Sequence, residues 1–309
     1  MSLERALELA ERGRGTTHPN PVVGAVVVRD GHVVGEGWHE RKGGPHAEIV
    51  ALDAAGEQAR GSTLYVTMEP CTHHGTTPPC TDAVLAAGVA KVVAGSFDPN
   101  HEARGGLDLL RAAGVDVELH DSFAARAQNA AWRTWVSEGR AFVILKLALT
   151  LDGRVAVPGE RWISGEESRR RVHELRAQVD AVAVGMGTVR ADEPQLTARD
   201  VDAVRQPRRI AFGSGPSQLE LRRGPLAEEL RALAGEGVQS LLLEGGPTIA
   251  TSFLREGLVD KVMFFFASQV AGAGPQFAPA LEAPVVLTHT TWERVGEDVL
   301  LTGYVHEPS

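Results

Sequence analysis

The chain has 309 residues, 43% hydrophobic and 23% charged, a balance that supports two domains with real cores and excludes a disordered polypeptide. Its net charge is -9, and neither residues 1–140 (18 acidic, 13 basic) nor the rest (22 acidic, 18 basic) has the clustered positive charge that a nucleic-acid polymer requires. No apolar run approaches the roughly 20 residues of a membrane-spanning helix, and Met1–Glu8 is too broken by charge for a signal peptide, so a cytoplasmic protein with no nucleic-acid or membrane partner is expected.

Leu3, Ala6, Leu7 and Ala10 recur at helical spacing and predict an opening helix to about Arg12. Val22–Val28 and His32–Trp38 read as strands joined by Asp30-Gly31, a two-residue hairpin signal. A helix from His46 to Ala59 and a strand over Thr63–Met68 follow. After a loop rich in Pro and His, a helix should start near Cys80 and stop at Gly88. Strand Lys91–Ala94, helix Ala103–Ala113 with Gly114 as its stop, strand Val115–Leu119 and a helix over Phe123–Ser137 complete a three-layer α/β pattern.

Glu138-Gly139-Arg140 is the expected boundary, giving domains at 1–140 and 141–309. Beyond it, strand Phe142–Thr150 precedes a helix whose opening, Ser164-x-x-Glu167, has the form of a capping box. The basic run Arg169-Arg170-Arg171 lies in that helix and reads as a solvated face. Strand Asp180–Val184, strand Arg209–Phe212, helix Pro225–Ala234, strand Val238–Leu243, helix Pro247–Arg255, strand Lys261–Ala267 and closing strands make this half α/β as well.

Both cysteines, Cys71 and Cys80, and eight of the eleven histidines precede residue 121, which directs the search for a metal site to the first half. His46-Ala47-Glu48 opens one helix. Cys80 opens another, where unpaired N–H groups and the helix dipole favour a thiolate. One imidazole and two thiolates leave the fourth vertex of a tetrahedral zinc open, the mark of a catalytic site. Glu48 is then placed to carry a proton from water to a leaving amine without ligating the metal. Zinc lowers the pKa of water from about 15.7 to about 7. At about 1.36 kcal/mol per unit this is roughly 12 kcal/mol, which suits hydrolytic loss of ammonia from an amidine-like carbon.

Taken singly, these residues allow other readings: a capping histidine, a disulfide, two buried thiols, or a closed zinc site completed by His73 or His74. Together they match the zinc nucleobase-deaminase signature, except that eight residues separate the cysteines instead of two. The run Glu69-Pro70-Cys71 to Cys80, with Thr17-His18-Pro19-Asn20-Pro21-x-Val23-Gly24 and Gly44-Pro45-His46-Ala47-Glu48, resembles the bifunctional deaminase/reductase family of riboflavin biosynthesis. The resemblance implies a cytidine-deaminase-like domain. Its substrate would be a pyrimidine carrying a ribose phosphate, met by Asn20, His39 and His73, with Asp98 and Asn100 nearby. That family has Lys or Arg where this chain has Thr76, which removes one expected phosphate contact.

In the second half, Leu241-Leu242-Leu243-Glu244-Gly245-Gly246-Pro247-Thr248 reads as a buried strand running through paired glycines into a helix. This is either a phosphate seat or an ordinary strand-to-helix turn. The runs Leu145–Arg154, Arg161–Ser164, Leu175–Ala177, Gly187–Arg199 and Glu244–Pro247 resemble successive motifs of the same family's reductase domain. They imply a dihydrofolate-reductase-like fold and NADPH. By that resemblance Ala148, Trp162, Thr188, Asp192, Gly246, Pro247 and Thr248 meet the cofactor. Arg161, Arg176, Leu196, Arg199 and Glu244 meet the substrate, and Lys146 and Asp152 are the catalytic candidates.

The family carries tens more residues between the Arg209–Phe212 strand and Glu244, so a strand-and-loop element is expected to be trimmed. The implied function is deamination of 2,5-diamino-6-(5-phosphoribosylamino)pyrimidin-4-one followed by reduction of its ribosyl chain to ribityl, by a homo-oligomer. The competing expectation is a zinc nucleotide deaminase with a degenerate reductase-like binding domain.

Overall fold

The computed structural model describes residues 2–74, 78–277 and 281–308, and separates into one compact unit running to Ser137 and another spanning Glu138–Glu307. Thr76 lies outside the described residues.

The first unit contains, in order, α1 (Ser2–Glu11), β1 (Gly24–Arg29), β2 (His32–Trp38), α2 (Ala47–Ala55), β3 (Thr63–Val66), α3 (Cys80–Ala87), β4 (Lys91–Ala94), α4 (Gly106–Ala112), β5 (Asp116–Leu119), α5 (Phe123–Gln128) and α6 (Ala130–Glu138). Its sheet has the order β2-β1-β3-β4-β5; β1 is antiparallel to both neighbours, and β3, β4 and β5 are parallel. Side-chain alternation along β1 covers both faces. Val26 packs with Ala6 and Leu9 of α1, while Ala25 and Val27 join Ala47, Ala51, Leu64, Val84, Val92, Leu107 and Leu110. Helix α2 lies directly on β2, because a Cβ on Gly37 would fall 2.5 Å from the Ala47 carbonyl oxygen. That close approach fixes the start of α2, where His46 and Glu48 sit.

The predicted helix over 123–137 is broken in two at Asn129. Its carboxamide leaves the helical pattern to bond both sides of one peptide segment, accepting from the Val22 N–H at 2.9 Å and donating to the Val22 carbonyl at 2.8 Å. The predicted 46–59 helix ends at Ala55 and continues as one tighter turn over Gly56–Ala59.

The second unit contains β6 (Phe142–Thr150), α7 (Glu166–Gln178), β7 (Ala181–Gly185), α8 (Met186–Asp192), β8 (Arg208–Phe212), β9 (Glu220–Arg222), α9 (Leu226–Gly235), β10 (Ser240–Leu243), α10 (Pro247–Arg255), β11 (Lys261–Ala267), β12 (Thr288–Val295) and β13 (Asp298–Tyr304). The sheet order is β12-β13-β11-β6-β10-β7-β8-β9, parallel except where β13 pairs with β11 and β12. Both faces of its centre are covered, which explains a strand such as β7 with every residue buried.

Odd-numbered residues of β6 (Val143, Leu145, Leu147) pack with Leu230 and Leu233 of α9 and Phe253 of α10. The even-numbered ones therefore point to the opposite face, that of α7, where Ile144 meets Val172 and Leu175. Lys146 is carried to that face by period alone.

One local expectation needs correction. The Ser164-x-x-Glu167 capping box does not form: α7 begins after Gly165, which has no side chain to cap the helix, and the Gly165 N–H is taken by the remote Asp298 Oδ2 at 2.8 Å. The segment between β8 and α9, expected to be short, carries only the three-residue strand β9, which closes the sheet edge beside an ion cluster of Arg208, Glu220, Arg222, Glu229 and Glu236.

Candidate active sites

His46 caps the start of α2, Cys71 follows the β3 end, and Cys80 is the first residue of α3. Three segments distant in sequence thus deliver three donors whose ligand atoms all lie within 4.8 Å of one another. His46 Nδ1 is 3.1 Å from Cys80 Sγ and 3.6 Å from Cys71 Sγ. A tetrahedral zinc with bonds of about 2.05 Å to nitrogen and 2.3 Å to sulfur needs a separation of about 3.6 Å, so the donor set fits that ion. The cysteines are free thiols rather than a disulfide, and neither His73 nor His74 joins the cluster.

The electrostatics agree with a site built for a cation. A hydrogen bond from Cys80 holds the Cys71 thiol well below its usual range, and the same contact together with burial pushes Cys80 up. His46 is raised, chiefly by its hydrogen bond to Cys71. Glu48 is only 3% exposed, and burial pushes its carboxyl up to about 7. A carboxyl balanced between its two protonation states near neutral pH can both take and return a proton.

Around this centre, His39 donates from Nδ1 to the Pro45 carbonyl at 2.9 Å, which leaves Nε2 to accept from Asn20 Nδ2 at 3.2 Å. The His39 ring meets His46 edge-on at 5.5 Å, and burial lowers its pKa, favouring the neutral ring. His73 is half-buried and its Nδ1 has no partner among the described residues. Asp98 is buried, which raises it to about 6, and it accepts the Asn100 N–H at 2.8 Å. Sequence reasoning passed over two buried charges nearby, Glu69 and Arg133. A carboxylate ending the largely apolar run before Pro70-Cys71 was the signal for the first.

In the second unit, Lys146 of β6, Glu244 at the end of β10 and Arg176 of α7 converge. Arg176 grips Glu244 with two parallel bonds, Nε to Oε1 at 2.6 Å and Nη2 to Oε2 at 3.0 Å, while Lys146 Nζ stands 3.8 Å from Oε2. Burial pushes Lys146 down against the pull of Glu244. For Glu244, burial acts upward, but the charge of Lys146 and the bonds from Arg176 outweigh it and keep the carboxyl below its ordinary range. Arg176 also donates to the Thr197 carbonyl at 3.1 Å, and His173, one turn earlier on α7, accepts the Arg199 N–H at 3.2 Å. This role for His173 was not read from sequence. The loop so held contains buried Leu196 at φ 55, and the Arg199 guanidinium reaches Gln195 at 2.6 Å.

Thr188, in the first turn of α8, accepts the Gly246 N–H at 3.2 Å and so ties the starts of α8 and α10 together. Helix α10 begins at Pro247 without a side-chain cap, and Thr248 is exposed. Ala148 lies two residues along β6 from Lys146, with Phe265 as its register partner. Trp162 is exposed, with the Arg161 and Arg169 guanidiniums 5.2 and 5.5 Å from its ring centre, and Asp192 ends α8 in solvent.

Asp152 accepts from the Thr150 hydroxyl, the Ala271 and Gly272 N–H groups and Arg154, which hold it below the usual carboxylate range. No hydrogen bond or ion pair among the described residues links Asp152, Arg161, Trp162 or Asp192 to Lys146, Glu244 or Arg176.

Comparison with known proteins bears on both sites. Residues 2–96 match the cytidine and deoxycytidylate deaminase zinc-binding region, and residues 141–301 match the RibD C-terminal domain. The riboflavin biosynthesis protein RibD of Aquifex aeolicus is 38% identical over 97% of this chain and 96% of its own length. That of Escherichia coli is 40% identical over 88% of each. Among solved structures, a RibD of Acinetobacter baumannii superposes with a TM-score of 0.85 at 33% identity, covering 98% of this chain and 97% of its own. The Thermotoga maritima diaminohydroxyphosphoribosylaminopyrimidine deaminase/5-amino-6-(5-phosphoribosylamino)uracil reductase superposes at 0.83 with 34% identity and the same coverage. With donor geometry and whole-length likeness in agreement, the chain belongs to the RibD family, which joins a zinc-dependent deaminase to a reductase in riboflavin biosynthesis.

Proposed function

We propose that this chain removes the 2-amino group of 2,5-diamino-6-(5-phosphoribosylamino)pyrimidin-4-one and then reduces the ribosyl chain of the product to ribityl with NADPH, in the cytoplasm. The observation that carries the first step is a buried carboxyl, Glu48, beside a three-donor cluster with the spacing of a zinc site. Zinc held by His46, Cys71 and Cys80 supplies Lewis acidity, bringing the pKa of water to about 7. Glu48 takes the proton released from water and returns it to the departing amine, so one group serves both halves of the hydrolysis. Neutral His39, oriented by Pro45 and Asn20, lines the approach with His73.

For the second step, the uncapped start of α10 offers free N–H groups to an anion, which fits a phosphate of NADPH. NADPH supplies the hydride when bound. Lys146, desolvated and held by Glu244, carries at Nζ the proton that the ring oxygen needs when the ribose opens. Arg176 orients Glu244, and with Arg161 and Arg199 supplies positive charge for the substrate phosphate. We assign Asp152 to holding the turn after β6 rather than to proton transfer, since its oxygens already accept four bonds. The substrate is a small anionic pyrimidine, and the assembly is a homo-oligomer with no nucleic-acid or membrane partner.

The deciding experiment supplies the zinc-loaded protein with the phosphorylated diaminopyrimidine and follows ammonia release and NADPH oxidation. Both should occur in sequence. Deamination of cytidine nucleotides with no NADPH consumed would instead favour the single-activity deaminase.

A further inference from the structure

Glu69 stands two residues before Cys71, is 5% exposed, and takes no part in the chemistry assigned above. Its oxygens accept three backbone N–H groups: Oε2 from Asp98 at 3.2 Å, and Oε1 from Gly105 and from Leu107, each at 3.1 Å. Its own N–H donates to the Ser96 carbonyl at 2.9 Å. All four partners belong to the β4–α4 loop or its immediate ends.

That loop is also the wall behind the thiols. Ala103 packs against Cys71 and Cys80, and its carbonyl accepts the Thr72 N–H at 3.1 Å and the Thr72 hydroxyl at 3.2 Å. The same hydroxyl lies 3.2 Å from the Arg104 carbonyl. Arg133 of α6, itself 3% exposed, donates to the Phe97 carbonyl at 2.8 Å and reaches the Ser96 hydroxyl at 3.4 Å. The approach is so close that a Cβ on Gly106 would fall 1.8 Å from the Pro70 carbonyl oxygen.

Burying a carboxylate is costly unless hydrogen bonds replace its water. Here the donors are main-chain groups that would themselves be orphaned without it. An amide cannot substitute, because it offers one accepting oxygen and presents an NH2 to N–H donors.

We infer that Glu69 is a positioning residue of the deaminase: its carboxylate sets the β4–α4 loop, and through Ala103 and Asp98 it sets the wall around Cys71, Cys80 and the substrate. The functional consequence rests on the deaminase reading above. The loop geometry does not.

The test uses Glu69→Gln and the milder Thr72→Val, each in the full chain. In the zinc-loaded enzyme, Glu69→Gln should lower deaminase kcat by about tenfold or more, the scale of an ångström-sized misplacement, with reductase turnover within about twofold. In chelator-stripped protein kept below its melting temperature, iodoacetamide should alkylate Cys71 and Cys80 several-fold faster than in the parent, read by mass spectrometry. Thr72→Val should move both readouts in the same direction by less, and it decides the matter if Glu69→Gln does not fold.

Unchanged labelling and unchanged deaminase turnover in the folded variants would overturn the inference. Parallel loss of deaminase and reductase activities would do the same, since it would reveal a general folding role. A parent enzyme that shields its thiols yet deaminates nothing would sink the deaminase reading alone.

Discussion

Glu48 and Lys146, the proposed proton carriers, are both buried, and burial acts on each in the same sense. Each is enclosed, each is pushed toward its neutral form, and each is met by an opposite charge that limits the shift: His46 for Glu48, Glu244 for Lys146. Replacing Glu48 by Gln keeps the volume and leaves the three metal donors intact. Deaminase turnover should then fall by about 10²–10⁴-fold while zinc content, measured by atomic spectroscopy, stays at one per chain. Retained turnover would remove the proton-transfer role.

Lys146→Ala leaves Glu244 paired with Arg176 and so should not unfold the site. NADPH oxidation should drop by at least about a hundredfold while ammonia release continues at the parent rate. Glu48 was singled out by its place two positions after His46, and Lys146 was singled out by the family resemblance. His173 and Glu69 were not, because each acts on backbone N–H groups of a remote loop, and a sequence shows no backbone partner.

Elements followed hydrophobic period wherever one face alone was buried or a turn residue was present. The strands His32–Trp38, Lys91–Ala94, Phe142–Thr150 and Lys261–Ala267 and the helix Pro247–Arg255 have their expected bounds. Failures came where a long-range polar bond overrode local preference. Asn129 breaks a helix to hold Val22, and Asp298 ties down the N–H of Gly165, which takes the N-cap position of α7 one residue later than Ser164.

The same theme governs the short edge strand β9. Hydrogen bonds from Arg222 and then Arg208 hold Glu236 down to about 2. A carboxyl depressed in the folded state adds stability that is complete above its unfolded value near 4.5 and drains away as pH falls toward 2. Glu236 is 43% exposed at the side chain, so solvent screening keeps the effect small. Glu236→Gln should therefore melt about 2 °C below the parent at pH 6, with the gap closing as pH drops below 4.5 and shrinking in 1 M salt. A gap that widens on acidification would contradict the assignment.

At the scale of the whole chain, two units with separate hydrophobic clusters carry two chemistries that need different helpers, a divalent ion and a hydride donor. Chelation should therefore abolish ammonia release and leave NADPH oxidation on the pre-deaminated product within about twofold, with zinc restoring the first activity. Loss of both activities on chelation would show that the ion supports the second unit as well.

The sequence by itself determined the α/β class, the order of elements and the donor trio. These depend on residue type, period and short-range spacing, which survive without any knowledge of contacts. Only the tertiary structure decided how Glu244 is shared between Lys146 and Arg176, why Asp152 is a loop anchor, and what clamps the wall behind Cys71. Those outcomes depend on which polar groups meet across tens of residues once water is excluded, and a buried charge must find its partners wherever the chain brings them.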